Sequence, residues 1–393
     1  MVWSPEPESD PQTPYRRRTM QKLPRVSIVI HDFDPNLGQG RYCHEIVKRL
    51  ADRFEFHIHA NTWKPVDAPN THYHKVLANR FNVITTIGSF LPFAELSLVR
   101  NPADVIHAQG LSSWRTDIIT GHMCNGARLR HLRGAGWRSR WFAEMITPFE
   151  RAFYRQRRAR HLIAIARSLG RDVEQEYGWR GRTHVIYHGT DSNRFRPAAD
   201  PAERRRLQER FKVPPDRWLW IFMGEAVKGL AGAIDQLEHF PNAHLLVVSR
   251  SHFADFREQA IARGVLDRIT FHGYDPKPEE AFRAVDVFVY PAPYDPFGLV
   301  VTEAMASGLA VLVGVGVGAS ELIENGRNGM RCHPEDPASI RQGLVQLSQL
   351  PDRGSALRIA ARQTVIEQSW DRCAEETAKV YEEALAERGR RSS

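Results

Sequence analysis

Tyr294-Asp-Pro-Phe-Gly-Leu-Val-Val-Thr-Glu-Ala-Met-Ala-Ser-Gly308 follows the apolar run Asp286–Tyr290 and precedes a second one, Leu309–Val313. Both runs read as short buried strands. Between them Pro296 stops the first strand, and Gly298 lets the backbone come close to a bound molecule. From Leu299 the pattern turns helical. The free N–H groups and positive dipole end of such a helix suit a diphosphate. Asp295 sits in the loop, and Glu303 on the opening turns of the helix can reach back toward the same volume. A strand, a loop, a helix and a strand in succession make an α/β unit with parallel strands.

The same rhythm extends in both directions. Upstream, Trp218–Met223, His244–Ser249 and Ile269–His272 are expected strands, and before them Arg25–His31, Phe54–His59, Asp104–Ala108, Ile118–Gly121, His161–Ile165 and Thr183–Tyr187. Tyr42–Arg53 reads as a helix, and so does Trp370–Arg388, whose Ala374, Ala378, Tyr381 and Leu385 recur at helical spacing. The polar, proline-containing stretch 196–215 divides the series as a linker would. The expected fold class is therefore α/β: two Rossmann-like domains facing each other across a cleft, with the C-terminal helix crossing back. The domains are read as a flexible tail over 1–23, an acceptor domain over 24–195, a donor-nucleotide domain over 196–366, and the crossing helix with its tail over 367–393. Ligands of open α/β sheets bind beyond the carboxyl ends of the strands, so both halves should send loops into the cleft.

The chain has 393 residues, 42% hydrophobic and 25% charged, enough for two or three domains with real cores. Its composition excludes collagen-like, coiled-coil and wholly disordered chains. The four cysteines, Cys43, Cys124, Cys332 and Cys373, are far apart and suit neither a disulfide framework nor a zinc site; a reducing compartment is expected. The first residues lack the apolar core of a secretory signal. The uncharged run Ala304–Ser320 holds Gly308, Gly314, Gly316 and Gly318 and reads as a buried strand between loops rather than a membrane span.

The segment Asp295–Gly308 resembles the acid-x₇-acid motif of the retaining family-four glycosyltransferases, whose fold is GT-B. Asp295 stands where that family has Glu, while Phe297, Gly298, Glu303, Ala304, Met305 and Gly308 match its pattern. Val185–Asp191, Phe195-Arg-Pro197 and Glu321–Gly329 match further family motifs in the expected order. The resemblance implies a metal-independent hexosyltransferase that uses a nucleotide-diphosphate sugar as donor substrate and no cofactor, acting on a hydroxyl acceptor such as a lipid-linked or cell-envelope glycan. It implies that Asp295 contacts hydroxyls of the donor sugar. Gly298 and the amides of Leu299 and Val300 would lie under the sugar and diphosphate, and Glu303 would bind the ribose. Lys228 would neutralise the leaving diphosphate, facing the acidic pair across the interdomain gap. The family's Arg before that Lys is missing, since Glu225, Ala226 and Val227 precede Lys228; the nearest replacement cation is Arg250. Gly38 falls on the second glycine of the family's N-terminal Gly-Gly loop, with Leu37 in place of the first. His122 falls near the donor sugar, and His107 and Gln109 on the acceptor side. Other readings of the same residues are a nucleotide-sugar epimerase or hydrolase, and a catalytically weak binding protein recruited to anionic surfaces.

Rival metal readings are weaker. Asp32-Phe-Asp34 resembles a metal-binding D-x-D but precedes a glycine loop. His57-Ile-His59 and His72-Tyr-His74 offer paired imidazoles without a placed third ligand. The net charge is +8, and the excess needs an anionic partner. Between Arg128 and Arg160 ten arginines alternate with Trp137, Trp141, Phe142, Phe149, Phe153 and Tyr154 against two glutamates. Basic and aromatic residues in that mixture suit an anionic membrane face. The reading favours a cytoplasmic protein, peripheral at the inner face of the plasma membrane, over a nucleic-acid binder.

Overall fold

A computed structural model of the chain describes residues 22–131 and 137–392. The expected tail over 1–23 thus lies almost wholly outside the described residues, as does Arg133 of the basic stretch. Among the described residues the strands are β1 (Arg25–Phe33), β2 (Glu55–Trp63), β3 (Thr71–Lys75), β4 (Val105–Gln109), β5 (Ile118–Gly121), β6 (His161–Ala164), β7 (Arg182–Val185), β8 (Trp218–Met223), β9 (Ala243–Val248), β10 (Ile269–His272), β11 (Val287–Tyr290), β12 (Ala310–Gly314) and β13 (Met330–Cys332). They form two sheets, ordered β3-β2-β1-β4-β5-β6-β7 and β10-β9-β8-β11-β12-β13, whose neighbouring strands pair in parallel. Continuous apolar strands such as Trp218–Met223 and Ala243–Val248 are buried on both faces because helices cover both.

Each sheet reverses its strand order once, between β1 and β4 in the first and between β8 and β11 in the second. Such switch points open a crevice at the strand ends. The loop into the helix Gly38–Leu50 leaves β1 and Gln109 ends β4, while Gly224–Lys228 follows β8 and Asp295 follows β11. The two switch points therefore supply the two sides of one cleft.

The helix Trp370–Ser392 packs Trp370, Cys373, Ala374, Ala378 and Tyr381 into the core formed by Val26, Ile28 and Ile46 of the first domain. The chain thus returns to its N-terminal half, as the spacing of its apolar residues predicted. A second core runs without a break from Ile119, Leu162 and Phe153 to Ile221, Val247 and Leu312, so the domains share buried apolar contact. Two strands were not expected. β3 is polar (Thr-His-Tyr-His-Lys) because it is a sheet edge, and β13 has only three residues. The helix Val83–Arg100 was also missed; its N-terminus is fixed by a capping box between Asn82 and Thr85.

Candidate active site

Gly298 is the N-cap of the helix Leu299–Ala306 and has φ +83° and ψ 63°, a left-handed conformation. A Cβ there would also stand 2.7 Å from Val317 Cγ1. The residue is glycine for both reasons. The backbone around Asp295 is held in turn by the loop Gly314–Gly318: Asp295 N–H donates to Gly316 O at 3.2 Å and Gly318 N–H to Asp295 O at 2.9 Å. A Cβ on Gly314, Gly316 or Gly318 would collide with the carbonyl oxygens of Ala292, Pro293 or Pro296. That glycine run is a packing surface for the acidic loop.

The Asp295 carboxylate is buried and accepts at Oδ2 from Lys228 Nζ at 2.9 Å and from Tyr290 O–H at 2.9 Å, with Phe297 N–H on Oδ1 at 3.3 Å. Burial and this carboxylate push the Tyr290 phenol up, so it stays a donor. Glu303 is buried as well, and its Oε1 accepts from Arg41 Nη1 at 2.6 Å. The sequence reading placed the cation across the gap in Lys228. Lys228 belongs to the same domain as the acids, and the cation that crosses is Arg41, from the helix Gly38–Leu50. Arg41 was missed because nothing local marks it: its partner lies 262 residues on and is reached only when the domains dock.

Arg250, the expected replacement cation, lies with its guanidinium 4.0 Å from the Tyr274 ring centroid. It lines a pocket of about 300 Å³ with Arg41, Arg194, Glu225, Tyr274 and Asp275, so three arginines and two carboxylates meet at one concavity. Leu299 lines a small recess between Arg41 and Glu303, and Val300 is half-buried beside it. Phe297, expected among the donor-binding residues, is instead buried against the first domain, its ring 5.1 Å edge-on from His188. Gly38 is exposed at the start of its helix with open space around it; the glycine that packing demands there is Gly40, against the Asp34 backbone.

On the other side of the cleft, His122 and Gln109 line a cavity of about 410 Å³. His122 Nε2–H donates to Gln109 Oε1 at 2.8 Å, since an amide oxygen only accepts; this leaves Nδ1 as an acceptor. Burial holds the His122 imidazole down to about 3, so it is neutral. His107, expected on the acceptor side, does not line this cavity. It is fully buried, with Nδ1 2.9 Å from Tyr381 Oη and Nε2 2.6 Å from Thr120 Oγ1. Two residues upstream of Gln109 on the same strand face, it lies deeper, where the returning C-terminal helix covers it. Glu150, which the sequence did not single out, lines the cavity wall. It accepts from Asn125 Nδ2 at 2.8 Å and from Tyr177 O–H, and burial raises its carboxyl.

Further side chains join the domains. Glu321 accepts from the amides of Arg167 and Ser168 at 2.9 and 2.7 Å, capping a helix of the first domain whose own Ala166 cannot. The Asp32 and Asp34 carboxylates are engaged by cations, Asp32 by Arg80 at 2.6 Å and Asp34 by Lys64 at 2.9 Å.

Two switch-point crevices facing each other, with acids and cations on the side of the second sheet, define a two-domain glycosyltransferase of GT-B architecture. Residues 203–364 match the family described as "Glycosyl transferases group 1" and residues 37–194 match "Glycosyltransferase Family 4"; the chain belongs to the family-four glycosyltransferases. Among curated relatives, it is 25% identical to the alpha-maltose-1-phosphate synthase of Mycolicibacterium smegmatis, over 92% of this chain and 100% of that one. It is 31% identical to a D-inositol 3-phosphate glycosyltransferase of Xylanimonas cellulosilytica, over 58% of each. An uncharacterized glycosyltransferase of Methanocaldococcus jannaschii is 28% identical, over 58% of this chain and 61% of that one. The match thus spans about three fifths of the length of the last two. In fold it is similar to WaaG, a glycosyltransferase involved in lipopolysaccharide biosynthesis, with TM-score 0.75 and 19% identity over 90% of this chain and 99% of that one. HepE of Anabaena, solved with UDP and glucose, has TM-score 0.72 and 17% identity over 92% of this chain and 100% of that one.

Proposed function

We propose that this glycosyltransferase moves a hexosyl group from a nucleotide-diphosphate sugar to a hydroxyl acceptor, with retention at the anomeric carbon and without a metal. The observation that carries the reading is the Lys228–Asp295–Tyr290 cluster beside the Gly298-capped helix start, closed from across the cleft by Arg41 on Glu303. As the bond from the sugar to the diphosphate breaks, charge grows on the leaving oxygen. Lys228 and the amides of Leu299 and Val300 are fixed where they can stabilise it. Asp295, oriented by Lys228 and Tyr290, serves the sugar hydroxyls, and Glu303 the ribose. The acceptor hydroxyl attacks on the face the diphosphate leaves, and a phosphate oxygen takes its proton. Arg41 and Arg250 take the place of the Arg missing before Lys228. His122, neutral and tethered to Gln109, meets the sugar from the acceptor side. UDP-sugars are the first donors to try, given the ligands of HepE. A thermal-shift panel of nucleotide sugars should single out one donor by mass action. NMR of the transferred sugar should then give the donor's anomeric configuration, with EDTA leaving the rate intact. An inverted product ends the retaining scheme, and a panel with no shift and no transfer ends the whole reading.

The acceptor is proposed to carry an apolar chain. Its cavity opens between the helices Val83–Arg100 and Trp137–Tyr154 and is walled by Val83, Ile87, Leu111, Phe142 and Ile146. The same two helices expose Phe93, Leu96 and Val99, and Trp141, Met145 and Phe149. Val83–Arg100 is the one helix, among the described residues, long and apolar enough to span a bilayer, yet Phe90, Ala94 and Leu98 are buried, so it is read as lying on a membrane. At the base of the second helix a concavity of about 620 Å³ is lined by Arg155, Arg157, Arg160, Arg180 and Trp179 with no carboxylate. This charge supports contact with an anionic bilayer. Flotation with vesicles containing anionic lipid should succeed, and should fail once Arg155, Arg157 and Arg158 are changed to Glu. Persistence of binding in that variant removes the electrostatic account.

A further inference from the structure

His57 and His72 stand opposite each other on β2 and β3, paired residue for residue in the parallel register. Glu55, two residues before His57 and so on the same sheet face, completes a triangle. Its Oε1 lies 3.0 Å from His57 Nε2 and 3.7 Å from His72 Nε2, and the three atoms all fall within 4.8 Å of one another. Ligands of a tetrahedral zinc ion, each about 2.0–2.2 Å from the metal, are about 3.3 Å apart; the two distances from Glu55 bracket that value, and side-chain rotation of the exposed His72 can close the third. The third ligand that two histidine pairs lacked in the sequence is thus supplied by the first residue of β2.

The surroundings favour coordination. His57 Nδ1 lies 2.8 Å from His74 Nε2. When His57 Nδ1–H donates there, Nε2 carries the free lone pair and points with a fixed ring, the arrangement that metal-bound imidazoles adopt. The His74 ring lies edge to edge with His57 in nearly one plane, as that hydrogen bond requires, and nearly parallel to His59 at 4.7 Å between centroids. Glu55 and His57 are largely covered while the His72 side chain is 54% exposed, which leaves a metal an open position for water. One group opposes it: Arg25 Nε lies 3.2 Å from Glu55 Oε1.

We propose that Glu55, His57 and His72 form a binding site for a divalent transition-metal ion, zinc by the character of the ligands, with His74 as its positioning residue. The site is at the amino-terminal end of the parallel strands, opposite the catalytic cleft, where it ties the edge strand β3 to β2. Two imidazoles and a carboxylate suit zinc, copper or nickel rather than magnesium or calcium. A second group, His161, His184 and Glu383, lacks, among the described residues, a histidine outside the triad that orients a ligand as His74 orients His57. Its imidazoles bond each other at 3.1 Å, and Arg182 holds Glu383 at 3.1 Å.

The test is calorimetric titration of zinc chloride into the tag-free, chelator-stripped full chain near neutral pH, alongside thermal unfolding with and without zinc. One equivalent should bind and raise the melting temperature. His72→Ala, at an exposed position, should weaken binding at least about tenfold, and His74→Ala by about ten- to a hundredfold. Arg25→Gln should tighten it by removing the competing cation, an effect a merely structural cluster does not give. Cobalt in place of zinc should show the visible spectrum of a tetrahedral site. No saturable binding, binding unchanged in His72→Ala, or binding lost in His184→Ala overturns the proposal. None of these readouts depends on transferase activity.

Discussion

On the half of the cleft proposed for the donor the acidic loop is fixed by backbone. Gly298 turns it into the helix, and Gly314, Gly316 and Gly318 lie against the carbonyls of Ala292, Pro293 and Pro296. On the half proposed for the acceptor the wall is made by side chains of two helices; behind Gln109 and His122, which line the cavity, hydrogen bonds continue through the buried His107 to Tyr381. A site held by close backbone approach admits few residues at each position, so it leaves a motif in the sequence. A wall of Val, Ile and Phe side chains on helices, half-buried for the most part, admits many, so it leaves none. The C-terminal side of the cleft is therefore the one whose residues could be picked out one by one from the sequence.

The largest break expected in that comparison is at Lys228. Lys228→Ala should lower kcat by about a hundredfold or more, the usual effect of removing one group that stabilises developing charge. An unchanged rate with the cognate donor would take the diphosphate role from it. Next is Gly298→Ala, which forces a side chain into φ +83° and against Val317. It should cost about 1–3 kcal/mol in chemical denaturation. A neutral result would mean that the loop is less constrained than its packing indicates. On the acceptor half, His107→Ala should cost a similar amount, because it opens a hole and leaves Tyr381 and Thr120 without a buried partner. His122→Ala should reduce kcat/KM by about tenfold with a smaller loss of stability, its ring being at the cavity rather than behind it. If the two variants behave alike, the distinction between a histidine at the cavity and one behind it is wrong.

These differences also explain what could be read before the structure. The doubly wound order followed from unbroken apolar runs such as Ala243–Val248, and Asp295, Glu303 and Lys228 from their motif neighbours. The helix Val83–Arg100 escaped because it mixes Val, Ile, Thr and Gly with no clear apolar stripe; Asn82 and Thr85, three apart, were the one local signal of its start. β3 escaped because an edge strand can be polar. Arg41 on Glu303 and Glu321 on the Arg167 helix are properties of docked domains, and nothing local encodes them. His107 and Gln109 share a strand face, so sequence gave them one role, whereas depth below the strand end gives them two.

The Arg41–Glu303 pair joins the halves and can be weighed directly. Both groups keep some contact with solvent, 26% and 11% of their side chains, so the coupling is expected to be about 1 kcal/mol rather than that of a sealed ion pair. A double-mutant cycle with Arg41→Met and Glu303→Gln, read by denaturation, measures it. A coupling near zero would show that the shared apolar core and the Glu321 cap, not this ion pair, hold the cleft closed.

The smallest effect per group is with pH, and it too separates the halves. Burial holds His31 down to about 4 and His59, His107 and His122 to about 3, all in the acceptor half. In the donor half, among the described residues, His244 alone is so lowered, to about 4. Each imidazole takes up a proton near 6.5 once unfolded but not while folded. Between those values the unfolded chain binds more protons, so stability is complete above about 6.5 and falls as the pH drops toward 4. One such group costs about 1 kcal/mol at pH 5.5. Lowering the pH from 7.5 to 5.5 should therefore lower the melting temperature. Hydrogen exchange should show the strands of the first sheet losing protection before those of the second. Equal loss in both sheets would mean that the shared core makes the two domains a single cooperative unit, and that the acceptor half cannot be loosened by acid on its own.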